Sequence, residues 1–291
     1  MGAGARQGSP EMGSQPRQTT LARPVSKEGI GLHTGAVSAL TLVPAAPNAG
    51  IVFVCPSGEE VAALADQVTS TARATALGRG GARAASVEHL LSALYGLGID
   101  NVRVELHGEE VPACDGSAQE WVALIRRAGV RRLAARRRRV TLREAVWVSE
   151  RDSWAVALPG ARFTLAVGVD YGDPVVGRQE LWLPVTPARY ARELAPARTF
   201  AFEHEVEALL AAGLARGGSE ENALVVGPTG YSRPLRFPDE AVRHKAADAV
   251  GDLALCGFRL AAHVVLVRPS HRVCVMLARE LQGLGALASL G

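Results

Sequence analysis

The chain has 291 residues, 48% of them hydrophobic, and sets 32 Lys plus Arg against 29 Asp plus Glu for a net charge of +3. That content supports packed cores, with two domains of roughly 100–150 residues expected, and the near balance of charge excludes a strong overall nucleic-acid footprint or an acidic solvating tail. No apolar run approaches the ~18–20 residues of a bilayer span and the first residues lack the apolar core of a secretory signal, so the sequence predicts a soluble, non-exported protein.

Residues 1–17, MGAGARQGSPEMGSQPR, are rich in Gly, Ser, Pro and Gln without apolar periodicity, which predicts a disordered leader. A remnant of an organelle-targeting peptide is the alternative for this segment. From Gln18 the texture changes to short strand-like runs broken by Gly and Pro, among them VSALTLVPAAP and GIVFVCPSG. The stretch SVEHLLSALYGLGIDNVRVEL (86–106) predicts a helix, a glycine stop and a strand. Arginines then crowd RRAGVRRLAARRRRV, which is expected to be a solvated linker between an N-terminal domain (18–134) and a C-terminal domain (135–284), with a tail at 285–291. Guanidinium groups pair well with phosphates, but no aromatic residues interleave with these, so no nucleic-acid partner is expected. The four cysteines, Cys55, Cys114, Cys256 and Cys274, form no C-x-x-C pair and are expected as buried thiols in a reducing compartment.

A second helix–glycine–strand unit, AVRHKAADAVGDLALCGFRLAAHVVLV (241–267), repeats the first, including a V-x-H start. Two homologous α+β domains facing each other would bring His89 and His244 towards one interface. In the first helix Val87, Leu90, Leu91 and Leu94 form the apolar stripe, and His89 lies away from it with Glu88 on its flank. In the second, Val242, Ala249, Val250 and Leu253 form the stripe, while His244, Asp248 and Asp252 stack at i, i+4, i+8 opposite. A His and an Asp one turn apart can share a divalent ion. Taken alone, that spacing equally suits a solvated i,i+4 ion pair. The step Glu88–His89 could supply a third ligand and a base, and two His with one Asp leave zinc the open position of a catalytic site. Only two lysines occur, Lys27 and Lys245, and the second sits beside the candidate ligands, where a compact ammonium rather than a planar fork would be wanted.

The segments GIGLHTG (29–35), SVEHL (86–90), GIDNVRVEL (98–106), PACDGSA (112–118), ARTF (197–200), GGSEENALVV (217–226), LRFPDEAVRHKAADAVGDL (235–253) and SH (270–271) together resemble the zinc-dependent UDP-3-O-acyl-N-acetylglucosamine deacetylases of lipid A biosynthesis. The resemblance implies two α+β domains stacked as an α–β–β–α sandwich, each with a small inserted unit, with a β–α–β insert near 202–226 forming an acyl passage. It implies one zinc ion on His89, His244 and Asp248, with Glu88 as general base, His271 as second catalytic group, Asp252 as its partner and Thr199 as oxyanion-stabilising hydroxyl. It further implies Lys245 as a phosphate contact and Phe200, Arg268, Tyr171, Leu209 and Leu214 as substrate-binding residues. His33 in GLHTG is expected to order a glycine turn. The implied substrate is the UDP-linked acyl sugar, handled by a monomer in a bacterial cytoplasm, or in a plastid or mitochondrion if the leader is a targeting remnant. Two rival readings stand beside it: an inactive homologue that binds the UDP-sugar or acyl chain, against which retention of Glu88, the ligand set and His271 argues, and a nucleic-acid-binding module using the Arg-rich stretch.

Overall fold

The computed structural model describes residues 16–288. Most of the expected leader therefore lies outside the described residues, while Arg17, its last residue, already opens a strand, Arg17–Leu21. Six helices punctuate the described chain: α1 (Glu88–Gly96), α2 (Gln119–Ala128), the single turn α3 (Pro187–Arg189), α4 (Glu203–Ala211), α5 (Glu240–Ala254) and α6 (His271–Ala288). The last of these runs through the first part of the expected 285–291 tail.

The repeat is explicit in the sheets. In the N-terminal half the spatial order is Val25–Ile30, Val37–Pro44, Val102–His107, Ile51–Val54, Glu60–Ala62. In the C-terminal half it is Val146–Glu150, Ser153–Pro159, Arg259–Val267, Thr164–Asp170, Arg178–Pro184. In both, the middle strand is the last of the five in sequence, antiparallel to one neighbour and parallel to the other. It follows α1 in one half and α5 in the other, so the two helix–glycine–strand units occupy equivalent places. A small three-stranded sheet is inserted in each half: Val68–Ser70, Ala76–Arg79 and Ala82–Ala84 in the first, and Phe200–Phe202, Leu224–Gly227 and Gly230–Tyr231 in the second. The second insert, with α4, thus extends beyond the expected 202–226.

The α+β sandwich stands, but its layer order is β–α–α–β rather than the α–β–β–α implied by the resemblance. Helix packs on helix at the centre: Ser92 Oγ on α1 donates to the Ala247 carbonyl of α5 at 2.6 Å, and the Tyr190 hydroxyl donates to Ser92 Oγ at 2.9 Å. The sheets turn one face to solvent, where Trp147, Trp154 and Trp182 of the C-terminal sheet are 61%, 47% and 67% exposed. Being central also explains the helix faces. On α5 the apolar stripe is buried, and so are His244, Asp248 and Asp252; a ridge predicted from periodicity alone as the polar side is the side that meets the other half.

The arginine-rich stretch is not a linker. Val130–Arg136 is a strand paired antiparallel with Arg17–Leu21, so the expected junction between 134 and 135 falls inside it, and Arg139–Thr141 joins the C-terminal sheet beside Arg259–Val267. Arg137 is fixed to Asp100 at 2.9 Å, and Arg138 and Arg139 donate to the carbonyls of Gly285 and Ala161. Cys55, Cys256 and Cys274 are buried free thiols, and Cys114 is half-buried.

Gly251 marks a close approach of α5 to α1. A Cβ there would overlap the Glu88 carbonyl oxygen and carbon, backbone atoms of α1 that cannot swing aside. Alanine is the better helix former by about 1 kcal/mol, yet overpacking a rigid contact costs about 1–3 kcal/mol or more. Gly251→Ala is therefore expected to lower the urea and thermal unfolding midpoints; an unchanged or raised midpoint would show that the helices can part without cost.

Candidate active site

The helix–helix seam opens into a cavity of about 370 Å³ whose walls include Glu88 and His89 from α1, His244, Lys245 and Asp248 from α5, Ser270 and His271 at the start of α6, and Thr199, Phe200, Tyr171 and His33 from the connecting segments. Residues as far apart in sequence as His89 and Asp248 meet because the equivalent helices that carry them, α1 and α5, pack against each other.

His89, His244 and Asp248 present one ligating atom each, all within 4.8 Å of one another. His89 Nε2 lies 3.2 Å and His244 Nε2 3.4 Å from the same oxygen, Asp248 Oδ1. His244 Nδ1 donates to the Ala197 carbonyl at 3.2 Å, which turns the Nε2 lone pair towards the cluster. Burial depresses the His244 pKa to about 4, so its imidazole is neutral, the form that ligates. Burial opposes ionisation of Asp248, but its electrostatic interactions with the neighbouring His244 ring and the Lys245 ammonium override it and hold the carboxyl well below the usual range. Two imidazoles and one carboxylate converge here, with His244 and Asp248 buried and His89 half-buried, and form a donor set that fits one divalent metal ion.

Glu88 is buried beside this cluster, and burial raises its carboxyl pKa although the positive charges of His271 and His89 pull it back. His271 is held by Asp252, with Nδ1 2.8 Å from Oδ2. Burial works against its imidazolium, yet the Asp252 charge and hydrogen bond raise the pKa to about 9. Lys245 Nζ lies 2.9 Å from Asp248 Oδ2, the oxygen not shared by the histidines.

Thr199 is placed by backbone bonds: its N–H donates to the Gly116 carbonyl at 2.8 Å, and its own carbonyl accepts from Leu224 N–H at 2.9 Å. Gly116, at φ +77°, allows this approach, because a Cβ there would overlap the Asn222 carbonyl. Tyr171 meets Phe200 and Phe202 edge-on or tilted at 5.5 and 5.4 Å, building an aromatic wall that continues to His244 at 6.3 Å from Phe200.

Not every expected residue converges. Arg268 points away to Asp152 and Asp170 at 2.7 and 3.1 Å, both exposed pairs, and Leu209 and Leu214 lie outside the walls of the cavity. His33 lines the cavity, and its backbone N–H donates to Glu110 at 2.9 Å. Three supporting groups have no signature in the sequence. Glu110, buried, accepts from His33 N, Thr34 N, Thr34 Oγ1 and Ser86 Oγ, which lowers its pKa against the cost of burial and ties the GLHTG turn to the start of α1. Arg198 and Glu240 form a buried ion pair at 2.8 Å that clasps the segment carrying Ala197 and Thr199 to the first turn of α5. Thr75 touches two acids at once: its N–H donates to Glu88 Oε2 at 3.0 Å and its hydroxyl to Asp252 Oδ1 at 2.7 Å. The last contact joins residues 177 positions apart, which no local pattern announces.

The family described as LpxC, UDP-3-O-acyl N-acetylglycosamine deacetylase, matches residues 18–283. The UDP-3-O-acyl-N-acetylglucosamine deacetylase of Myxococcus xanthus is 45% identical over 269 residues, covering 91% of this chain and 86% of that protein. The protein of the same name from Thermosynechococcus vestitus is 46% identical over 268 residues, covering 91% and 93%, and that from Trichormus variabilis 40% identical over 277 residues, covering 92% and 99%.

Proposed function

Since this chain belongs to the UDP-3-O-acyl-N-acetylglucosamine deacetylase family, we propose that it hydrolyses the N-acetyl group of UDP-3-O-acyl-N-acetylglucosamine, giving UDP-3-O-acyl-glucosamine and acetate in lipid A biosynthesis. The observation that carries this reading is the convergence, in one cavity, of the His89–His244–Asp248 donor set with a buried carboxylate and a positively charged imidazole. The metal is zinc, in keeping with two imidazoles and one carboxylate. When bound, it supplies positive charge that polarises the amide carbonyl and acidifies water.

The protein groups divide the remaining work. Glu88 takes a proton from water as it attacks the acetyl carbon, and its burial favours this by making the carboxylate more basic than one in solvent. The Thr199 hydroxyl donates to the carbonyl oxygen as negative charge develops there. His271, kept cationic by Asp252, stabilises that charge and delivers a proton to the departing amine. The C–N bond breaks, acetate leaves, and the sugar keeps a free 2-amino group. Lys245 offers a compact positive charge for a phosphate, and the Tyr171–Phe200 wall an apolar surface for the sugar and acyl portions. Arg268, Leu209 and Leu214 would touch substrate only where it extends past the cavity. The site is complete within one chain, which supports a monomer as the working unit; a nucleotide-linked substrate and bacterial relatives support the bacterial cytoplasm.

Zinc content measured alongside acetate release from UDP-3-O-acyl-N-acetylglucosamine tests the reading. One zinc per chain with turnover is expected, and a zinc-loaded protein that releases no acetate would overturn it. The imidazolium role has its own signature. With a folded pKa of about 9, His271 is protonated through neutral pH, and turnover falls as pH rises through that value. Asp252→Asn removes the charge that raises the pKa, so the basic limb of the kcat profile should move to lower pH. A basic limb that stays in place would assign it to another group.

A further inference from the structure

The reaction assigned to this site needs a base and an imidazolium held at a fixed separation, yet Glu88 belongs to the N-terminal half and the Asp252–His271 pair to the C-terminal half. Thr75 spans that divide. It precedes the inserted strand Ala76–Arg79, is fully buried between buried Ala74 and Ala76, and is clamped to the start of α1 by Val87 N–H, which donates to its carbonyl at 3.2 Å. From this anchored position the backbone N–H holds Glu88 Oε2 at 3.0 Å, and the hydroxyl holds Asp252 Oδ1 at 2.7 Å.

Asp252 is itself buried, and its carboxylate only accepts. One oxygen takes the Thr75 hydroxyl proton and the other the His271 Nδ1 proton at 2.8 Å. Opposed donors on the two oxygens fix the rotation of the carboxylate, and with it the plane of the imidazole that presents its other nitrogen to the cavity. We propose that the Thr75 hydroxyl is a positioning group for His271, acting through Asp252, and that Thr75 thereby sets the base and the imidazolium in register across the two halves. The proposal rests on the deacetylase reading of the site.

Thr75→Val keeps the β-branched shape and both backbone hydrogen bonds and removes only the hydroxyl. Loss of a group that orients a functional side chain from behind typically costs 10–100-fold, so the zinc-loaded variant is expected to lose about 10–100-fold in kcat with KM within about twofold of the parent. Thr75→Ser, which restores the donor, should recover most of the loss. In ¹H NMR of the zinc-loaded protein at a fixed pH, the downfield His271 Nδ1–H resonance should persist in the parent and in Thr75→Ser and shift or broaden in Thr75→Val. In an Asp252→Asn background Thr75→Val should lower kcat little further, since the group it acts through is already changed. Thr75→Ala, which lacks the hydroxyl without adding bulk, carries the same expectation should the valine variant not fold. A Thr75→Val protein with reduced unfolding midpoint but parental kcat and an unchanged resonance would overturn the proposal, as would full, independent losses in the double variant. A parent protein that releases no acetate would instead sink the deacetylase reading, and the NMR comparison, which needs no turnover, keeps the two failures apart.

Discussion

Glu88→Gln is expected to retain zinc and to lose turnover by about 10²–10⁴-fold, the range for removing a positioned general base. The amide keeps the volume of the carboxylate and can still accept from Thr75 N–H, so the first turn of α1 and the neighbouring ligand His89 stay in place. What disappears is a basic oxygen in a site whose burial makes it more basic than in water. Because Glu88 is not counted among the ligands, the loss should fall on kcat with KM little changed, and metal analysis should read as in the parent. Near-parental hydrolysis by Glu88→Gln would require another proton acceptor beside the metal.

His244→Ala should fail in the opposite order, losing metal first and activity as a consequence. Its Nε2 is one of three converging donors, and its ring packs edge-on against His89 at 5.0 Å, so truncation removes a ligand and loosens a second one. Groups that merely support ligands cost about 10–100-fold in affinity when removed; a ligand should cost more. Zinc retention after dialysis against a chelator of graded strength measures this directly, and added zinc should restore part of the turnover. Stoichiometric zinc with parental turnover in His244→Ala would remove it from the ligand set. Together, the two variants separate proton transfer from metal binding in residues on either side of the same helix–helix seam.

Much of this arrangement was legible in the sequence, for identifiable reasons. The i, i+4, i+8 ridge of His244, Asp248 and Asp252 is a consequence of helical geometry alone, and the repeated helix–glycine–strand unit fixes which strand lies at the middle of each sheet. Periodicity does not say what a polar ridge faces. On a helix covered on one side it faces water; here both sides of α1 and α5 are covered, and the order of the layers follows from that packing rather than from either helix. The arginines of Val130–Arg136 misled by composition, since a strand that exposes Arg131, Arg132 and Arg136 has the content of a linker and shows its nature only through pairing with Arg17–Leu21. Thr75, Glu110 and the Arg198–Glu240 clasp were invisible because their partners are set by tertiary contact, and a lone threonine between alanines carries no local sign of the two acids it joins.

The two central helices are equivalent by topology, and with His89 laid on His244 the positions corresponding to Asp248 and Asp252 on α5 are Ala93 and Leu97 at the end of α1, while that corresponding to Glu88 is Arg243. The two copies of the unit therefore match in topology and differ in the side chains they carry. Among the groups given a role above only the two imidazoles are matched; in the proposed mechanism the acids that ligate and orient belong to one copy and the base to the other. In the copy that lacks the two aspartates, small and apolar side chains fill the same ridge, Ala93 fully buried among them. On that proposal one repeat serves packing and proton abstraction and the other supplies charge. Exchanging the two helices would preserve the sheet order and destroy the reaction centre.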